Sequence, residues 1–108
     1  MTPSSMRFSK NEVVLLPIPF TDLTSRKVRP AVVVGRHGVD LFLVPITSQL
    51  ANADIPLLNR QAAGLNVACG IKAQIATVEA RLVVKSVGRL TVVDQQKLTE
   101  RLHDWLEI

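Results

Sequence analysis

Two apolar runs of strand-forming residues, separated by a short connection with a glycine in it, constrain this chain more than any other feature. Ala31-Val32-Val33-Val34 lies within the segment Pro30 to Arg36, and Leu41-Phe42-Leu43-Val44 within Asp40 to Ile46. Between them stands only Arg36-His37-Gly38-Val39. β-Branched residues favour a pleated, buried surface, and a glycine in so short a link supplies a tight turn. The spacing predicts an antiparallel hairpin.

The other segments read as shorter strands. Glu12 to Pro19 carries the apolar core Val13-Val14-Leu15-Leu16, and its prolines Pro17 and Pro19, unable to donate to a ladder, put its end at an edge or a bulge. Thr21 to Lys27 is polar and reads as a loop, and Thr47 to Asn52 as a loop or short helical turn. Ile55 to Leu58 is a short strand and Asn59 to Gly64 a polar connection. Gly70 to Thr77 alternates, with Ile71, Ala73 and Ile75 on one side, and Ser86 to Leu90 is a further short strand.

One helix closes the chain. Leu98, Leu102, Trp105 and Leu106 recur at helical spacing, with Asp94 as the expected N-cap of Gln95 to Leu106. Trp105 is expected in the core. Many short strands and one terminal helix predict a mainly β fold, a small barrel with a C-terminal helix packed on it.

Residues 1–108 are expected to form a single domain, with 1–10 a flexible N-terminal segment. No internal repeat or interdomain linker divides it. Nearly half of the residues are apolar (47%), enough for one core at this size. The polar first ten residues do not read as a signal peptide, and no apolar run approaches the roughly 20 residues that span a bilayer, so a cytoplasmic protein is expected. The lone Cys69 excludes an internal disulfide and a cysteine-built zinc site, and reads as a buried, inert thiol.

The net charge of +4 is unevenly placed. Met1 to Arg36 holds six basic residues against two acidic ones, whereas His37 to Ile108 holds seven of each. A basic N-terminal third suits a polyanion such as RNA or DNA, but charge alone favours a solvated surface that keeps the chain soluble.

The usual catalytic constellations are missing. His37 falls in the hairpin turn and His103 on the helix, so a paired-histidine nuclease site is not expected. No GxSxG, P-loop or metal-ligand cluster is present, and no metal or cofactor is expected. What remains is a juxtaposition. Antiparallel pairing through the turn at Arg36 to Asp40 brings Arg29 and Thr47 together at the far end of the hairpin. A proline after Arg29 favours extended backbone there. A guanidinium offers a fork of donors to two phosphate oxygens, and a hydroxyl adds one more. Such a pair can stabilise the charge on a pentacovalent phosphorus while the 2′-hydroxyl of an RNA serves as nucleophile. From these residues alone, a surface salt bridge for Arg29 and a turn-starting role for Thr47 is the favoured account.

The segments that carry these residues resemble the MazF/PemK-type toxins. Val13-Val14-Leu15-Leu16-Pro17-Ile18-Pro19-Phe20-Thr21-Asp22 is similar to the opening strand of that family, Arg29-Pro30-Ala31-Val32-Val33-Val34 to its second, and Pro45-Ile46-Thr47-Ser48-Gln49 to the end of its third. Gly64-Leu65, Ile71-Lys72-Ala73-Gln74 and Val87-Gly88-Arg89-Leu90 follow in the family's order. The likeness runs from about Glu12 to Leu106. It implies an SH3-like barrel, a homodimer, and metal-independent, sequence-selective cleavage of single-stranded RNA (mRNA) that leaves a cyclic phosphate and a 5′-hydroxyl and inhibits translation. Arg29 and Thr47 match the family's catalytic residues. The resemblance also points to Thr21, Ser25, Arg26, Lys27, Ser48, Gln49, Lys72 and Gln74 as RNA-binding candidates. The implied partner is a cognate antitoxin whose acidic, disordered tail folds over the basic groove.

Two positions depart from the family pattern. Asn11-Glu12 stands where Gly-Asp is usual, and Gln74 where an acidic residue is common. The competing reading is a non-catalytic binding barrel or a gyrase-directed toxin of the related fold, acting through Asp104-Trp105-Leu106-Glu107-Ile108, where an exposed Trp or the terminal carboxylate would serve.

Overall fold

The computed structural model describes residues 8–17 and 27–108. Seven strands and one helix follow in the order β1 (Glu12–Pro17), β2 (Val28–His37), β3 (Asp40–Thr47), β4 (Ile55–Pro56), β5 (Gly70–Ile71), β6 (Ala76–Glu79), β7 (Lys85–Arg89) and α1 (Val92–Leu106). Every pairing among them is antiparallel, in the sheet order β4-β5-β3-β2-β1-β7, with β6 also paired to β3.

The hairpin forms as its pattern predicts. His37 opposes Asp40, and Gly38 takes φ +60° in the turn. Sheet curvature comes from bulges, between Val33 and Gly35 in β2 and between Val13 and Val14 in β1. Beyond the outermost strands the sheet is drawn round on itself, because Arg89 N–H donates to Ala62 O (3.1 Å) and Leu57 N–H to Cys69 O (3.0 Å). The result is a small barrel.

Both faces of β1–β3 are buried, which explains why these strands read as apolar runs rather than as clean alternation. On one face Val13, Val32, Val44 and Ile46 pack with Ile55, Ile71, Leu90, Leu98 and Leu102, and half-buried Trp105 covers them. On the other, Val14, Leu16, Ala31, Val33, Leu41 and Leu43 pack with Val78 and Ala80.

Three elements differ from the sequence reading. The helix begins at Val92, and its N-cap is Thr91, whose hydroxyl accepts from Asp94 N–H (3.4 Å). Asp94 is instead fully buried. Its two carboxylate oxygens accept from the backbone N–H groups of Leu58 and Asn59 (3.1 Å each), so it clamps the segment after β4 onto the helix start.

The expected strand over 70–77 is two strands. β5 ends at Ile71, β6 starts at Ala76, and Ile75 is 45% exposed. The break falls opposite Pro45, whose carbonyl accepts from Lys72 N–H (2.9 Å) but which has no N–H to offer back. Asp54 Oδ2 then takes Ala73 N–H (2.7 Å), and Gln74 N–H folds back to Lys72 O (2.8 Å). Third, the strand expected over Ile55 to Leu58 shrinks to Ile55–Pro56. The short helical turn expected after Thr47 is a 3-10 turn at Leu50–Asn52.

The expected flexible segment 1–10 lies mostly outside the described residues, and its last three are tied down. Arg36 donates to Phe8 O (3.3 Å), and Arg89 to Ser9 Oγ (2.9 Å) and Lys10 O (3.0 Å).

Candidate active site

Strand register positions the two candidate residues. The β2–β3 register ends at Ala31 opposite Pro45; continued by two residues it would bring Arg29 alongside Thr47. On its other side Arg29 opposes Leu16 of β1, and Thr47 opposes Gly70 of β5. Alternation puts Arg29 on the face shared by Ala31 and Val33, and Thr47 on the face shared by Leu41 and Leu43, which is the same face. Opposed residues on paired strands have Cα atoms about 4.5–5.5 Å apart. Arg29 is exposed and Thr47 half-buried, so both reach solvent at the end of the barrel away from the hairpin turn.

Local bonding leaves both groups able to donate. Among the described residues the Arg29 guanidinium makes no hydrogen bond or ion pair. The Thr47 hydroxyl accepts from Gln49 N–H (3.1 Å), which aims an oxygen lone pair inward and leaves its proton for an acceptor outside. Gln49 Oε1 in turn takes Asn52 Nδ2 (2.8 Å), securing the turn that follows.

Of the other candidates, Ser48 and Gln49 are exposed next to Thr47, and Lys27 is exposed two residues before Arg29. Half-buried Lys72 follows β5 directly and faces Pro45, two residues along the ladder from the Thr47–Gly70 pair. Gln74 is half-buried in the break between β5 and β6. Thr21, Ser25 and Arg26 lie outside the described residues.

A pocket of about 180 Å³ opens beside Arg29. Arg29, Pro30, Ile46 and Ser48 line it from the hairpin, and Leu65, Asn66, Val67 and Cys69 from the segment before β5. This second wall escapes the sequence reading, since 65–69 has no regular period and only the tertiary fold returns it to the hairpin end. Cys69 is buried, as expected of it; burial pushes its thiol pKa up, partly offset by the positive charge of Arg60. Among the described residues no three His, Cys, Asp or Glu side chains converge as metal ligands.

A model of the PemK-like, MazF-like toxins of type II toxin–antitoxin systems matches residues 9–106. This chain belongs to that family. Its fold is that of MazF toxins in solved structures. One is the Mycobacterium tuberculosis toxin MazF-mt6, with 18% identity, a TM-score of 0.68, and coverage of 90% of this chain and 97% of that one. Another is an endoribonuclease in complex with its cognate antitoxin from a mycobacterial species, with 16% identity, a TM-score of 0.67, and 92% of both chains covered. No curated protein sequence matches this one.

Membership of the MazF/PemK family sharpens the two departures. Asn11 adopts φ +74°, the left-handed conformation that glycine takes most readily and that asparagine tolerates best among the other residues. The turn therefore survives the substitution, with Asn11 N–H on Val33 O (2.7 Å) and Asn11 O accepting from Leu90 N–H (3.0 Å). Glu12 has a structural partner set: its carboxylate accepts from Ser9 N–H and from the Ser86 hydroxyl. At the Gln74 position no carboxylate replaces the missing acid within its own turn; Asp54, bonded to Ala73 N–H, is the acid next to it.

Proposed function

We propose that this MazF/PemK-family toxin is a metal-independent endoribonuclease that cleaves single-stranded RNA, mRNA in the cell, and so inhibits translation. The observation that supports it is the β2–β3 register, which continued by two residues brings Arg29 and Thr47 together on one face at an open rim. The 2′-hydroxyl of the substrate attacks the adjacent phosphorus, the bond to the 5′-oxygen breaks, and a 2′,3′-cyclic phosphate and a 5′-hydroxyl result. The 2′-hydroxyl proton passes to base and the departing 5′-oxygen gains one. Arg29 binds the non-bridging oxygens as their charge rises, and the Thr47 hydroxyl donates to one of them; electrostatic stabilisation of this kind is commonly the largest catalytic effect. Lys27, Ser48, Gln49, Lys72 and Gln74, with Thr21, Ser25 and Arg26, hold the strand on either side.

A cognate antitoxin with an acidic, disordered tail would neutralise the toxin by covering the same basic rim. The protein is expected to act as a homodimer in the cytoplasm. Exposed Val28 and Val84, both beside the end of β1, offer apolar surface to a second copy. Among the described residues no helix is long and apolar enough to cross a membrane.

The test is cleavage of a long single-stranded RNA in EDTA. Arg29→Ala is expected to lower the rate by about 10²–10³, as for loss of one oxyanion donor. Absence of cleavage by the wild type, or unchanged cleavage by Arg29→Ala, counts against the proposal. Of the two features the gyrase-directed reading could use, Trp105 packs against the core, while the C-terminal Ile108 is exposed. A supercoiling assay run beside the RNA assay separates the two.

A further inference from the structure

We infer that Asn52 is a positioning residue for the Thr47 hydroxyl: it holds Gln49 so that the Gln49 N–H stays on Thr47 Oγ1. The inference rests on the proposed RNA cleavage, in which Thr47 donates to a phosphoryl oxygen, and deepens it.

The difficulty at this site is rotational. Thr47 is the last residue of β3 and half-buried, so strand pairing fixes its backbone but not its side chain. A threonine can occupy several staggered wells about χ1, and its hydroxyl proton turns to suit its surroundings. Donation to one phosphoryl oxygen needs one well and one proton direction. The Gln49 N–H, 3.1 Å from Oγ1, selects the well and occupies a lone pair, so the proton points elsewhere. A hydroxyl that accepts one hydrogen bond is also the better donor of the next, because linked hydrogen bonds polarise one another.

A bond from the N–H two residues on is weak by itself, a local turn that water can replace. Here Asn52 grips Gln49 at two points. Its backbone N–H donates to Gln49 O (2.9 Å), and its Nδ2 to Gln49 Oε1 (2.8 Å). The first bond belongs to the 3-10 turn at Leu50–Asn52, in which Ala53 N–H also donates to Leu50 O (3.2 Å). The second is a link that the turn itself does not require. The Gln49 side chain caps no N–H of that turn, so its contact with Asn52 is what fixes it.

The far end of the turn is anchored on the strand that flanks Thr47. Gly70 of β5 opposes Thr47 on one side and Pro56 on the other. Ala53 rests against Gly70 so closely that a Cβ there would lie 2.6 Å from Ala53 Cβ, and Asp54 N–H donates to Ile71 O (2.8 Å). Asn52 thus stands on a turn held at both ends. It is exposed and adds little to the core, so its truncation should loosen the hydroxyl without unfolding the protein.

Two measurements test the inference. In the first, cleavage of a long single-stranded RNA is timed with enzyme in excess for wild type, Asn52→Ala, Thr47→Val and the double variant, with thermal melts alongside. Asn52→Ala should melt as the wild type does. Its rate constant at saturating enzyme should fall about threefold to tenfold, as for loss of one hydrogen bond, with the half-saturating concentration unchanged. In the Thr47→Val background the same change should cost less than about twofold, since the hydroxyl it positions is gone. No loss, equal losses in the two backgrounds, or a loss confined to the half-saturating concentration overturns the inference while leaving the nuclease proposal standing.

The second measurement needs no activity. Nuclear magnetic resonance couplings to the Thr47 γ-carbon report its χ1 rotamer, and hydrogen exchange reports the Gln49 amide. The wild type should show one rotamer, and Asn52→Ala should show rotamer averaging and a Gln49 amide that exchanges several-fold faster. An averaged rotamer in the wild type, or couplings and exchange unchanged in Asn52→Ala, overturns the inference. If the wild type fails to cleave RNA, the nuclease proposal falls. Then, or if Thr47→Val leaves no measurable cleavage, the second measurement alone decides whether Asn52 orients the hydroxyl.

Discussion

Replacing Asp94 by alanine probes how the segment behind the pocket is anchored. The carboxylate is fully buried, and each oxygen accepts one backbone N–H, from Leu58 and from Asn59, at 3.1 Å. The Thr91 hydroxyl stands 3.4 Å from Oδ2 as well, completing a reciprocal cap at the helix start. Alanine removes both acceptors together. A buried N–H left without a partner costs about 1–3 kcal/mol. Leu58 and Asn59 are exposed residues, so water can reach part of what is lost, and each bond is placed at the lower end of that range. The shared cap adds about 0.5–1 kcal/mol. The expected destabilisation of Asp94→Ala is therefore about 2.5–3 kcal/mol, a large share of the stability of a small domain. Asp94→Asn should be nearly as costly, because its amide nitrogen would face one of the two donors. Urea unfolding followed by circular dichroism measures both, with Asp104→Ala, exposed on the same helix, as a control expected within about 0.5 kcal/mol of wild type. A loss under about 1 kcal/mol for Asp94→Ala, or equal losses for Asp94 and Asp104, would refute the clamp.

Other outcomes follow from single contacts. Gly88→Ala should destabilise by about 2 kcal/mol or more by thermal melt, because its Cβ would lie 2.5 Å from Ala63 C and 2.6 Å from Ala62 O, both backbone atoms that cannot swing aside. Asn11→Ala should cost about 1–2 kcal/mol in urea titration for its left-handed backbone, while Asn11→Gly should be close to neutral or stabilising, since it also removes the buried Oδ1, which has no hydrogen-bond partner among the described residues. Cys69 should react with thiol reagents more slowly in the folded than in the urea-unfolded protein at pH 8. Its thiol pKa is raised on folding, so its contribution to stability is complete below the unfolded thiol's pKa and is lost as pH rises through the folded one. A loss of stability from neutral to alkaline pH no larger in the wild type than in Cys69→Ser would contradict that shift.

Local pattern made much of this protein legible in its sequence. The β2–β3 hairpin follows from two strand-forming runs and one glycine, and the terminal helix from the spacing of Leu98, Leu102 and Trp105. Counting out from the turn brings Arg29 and Thr47 to the same end of the hairpin, but would set Arg29 opposite Ser48; it is the bulge between Val33 and Gly35 that shifts the register by one towards Thr47. Tertiary structure decided what depends on contacts distant in sequence. The alternation over 70–77 is a true period of two, yet Pro45 on the neighbouring strand cannot donate to it and Asp54 captures its backbone, so Ile75 ends in solvent. Asp94 has the composition of a cap, but its carboxylate is used by Leu58 and Asn59, 36 and 35 residues away. The same holds for the pocket, whose second wall, Leu65 to Cys69, meets Arg29 only because the glycines at 64, 70 and 88 let separate backbones approach closely. A periodic pattern reports which face of an element is apolar; which neighbour supplies the missing donor, acceptor or wall is settled only when the chain closes on itself.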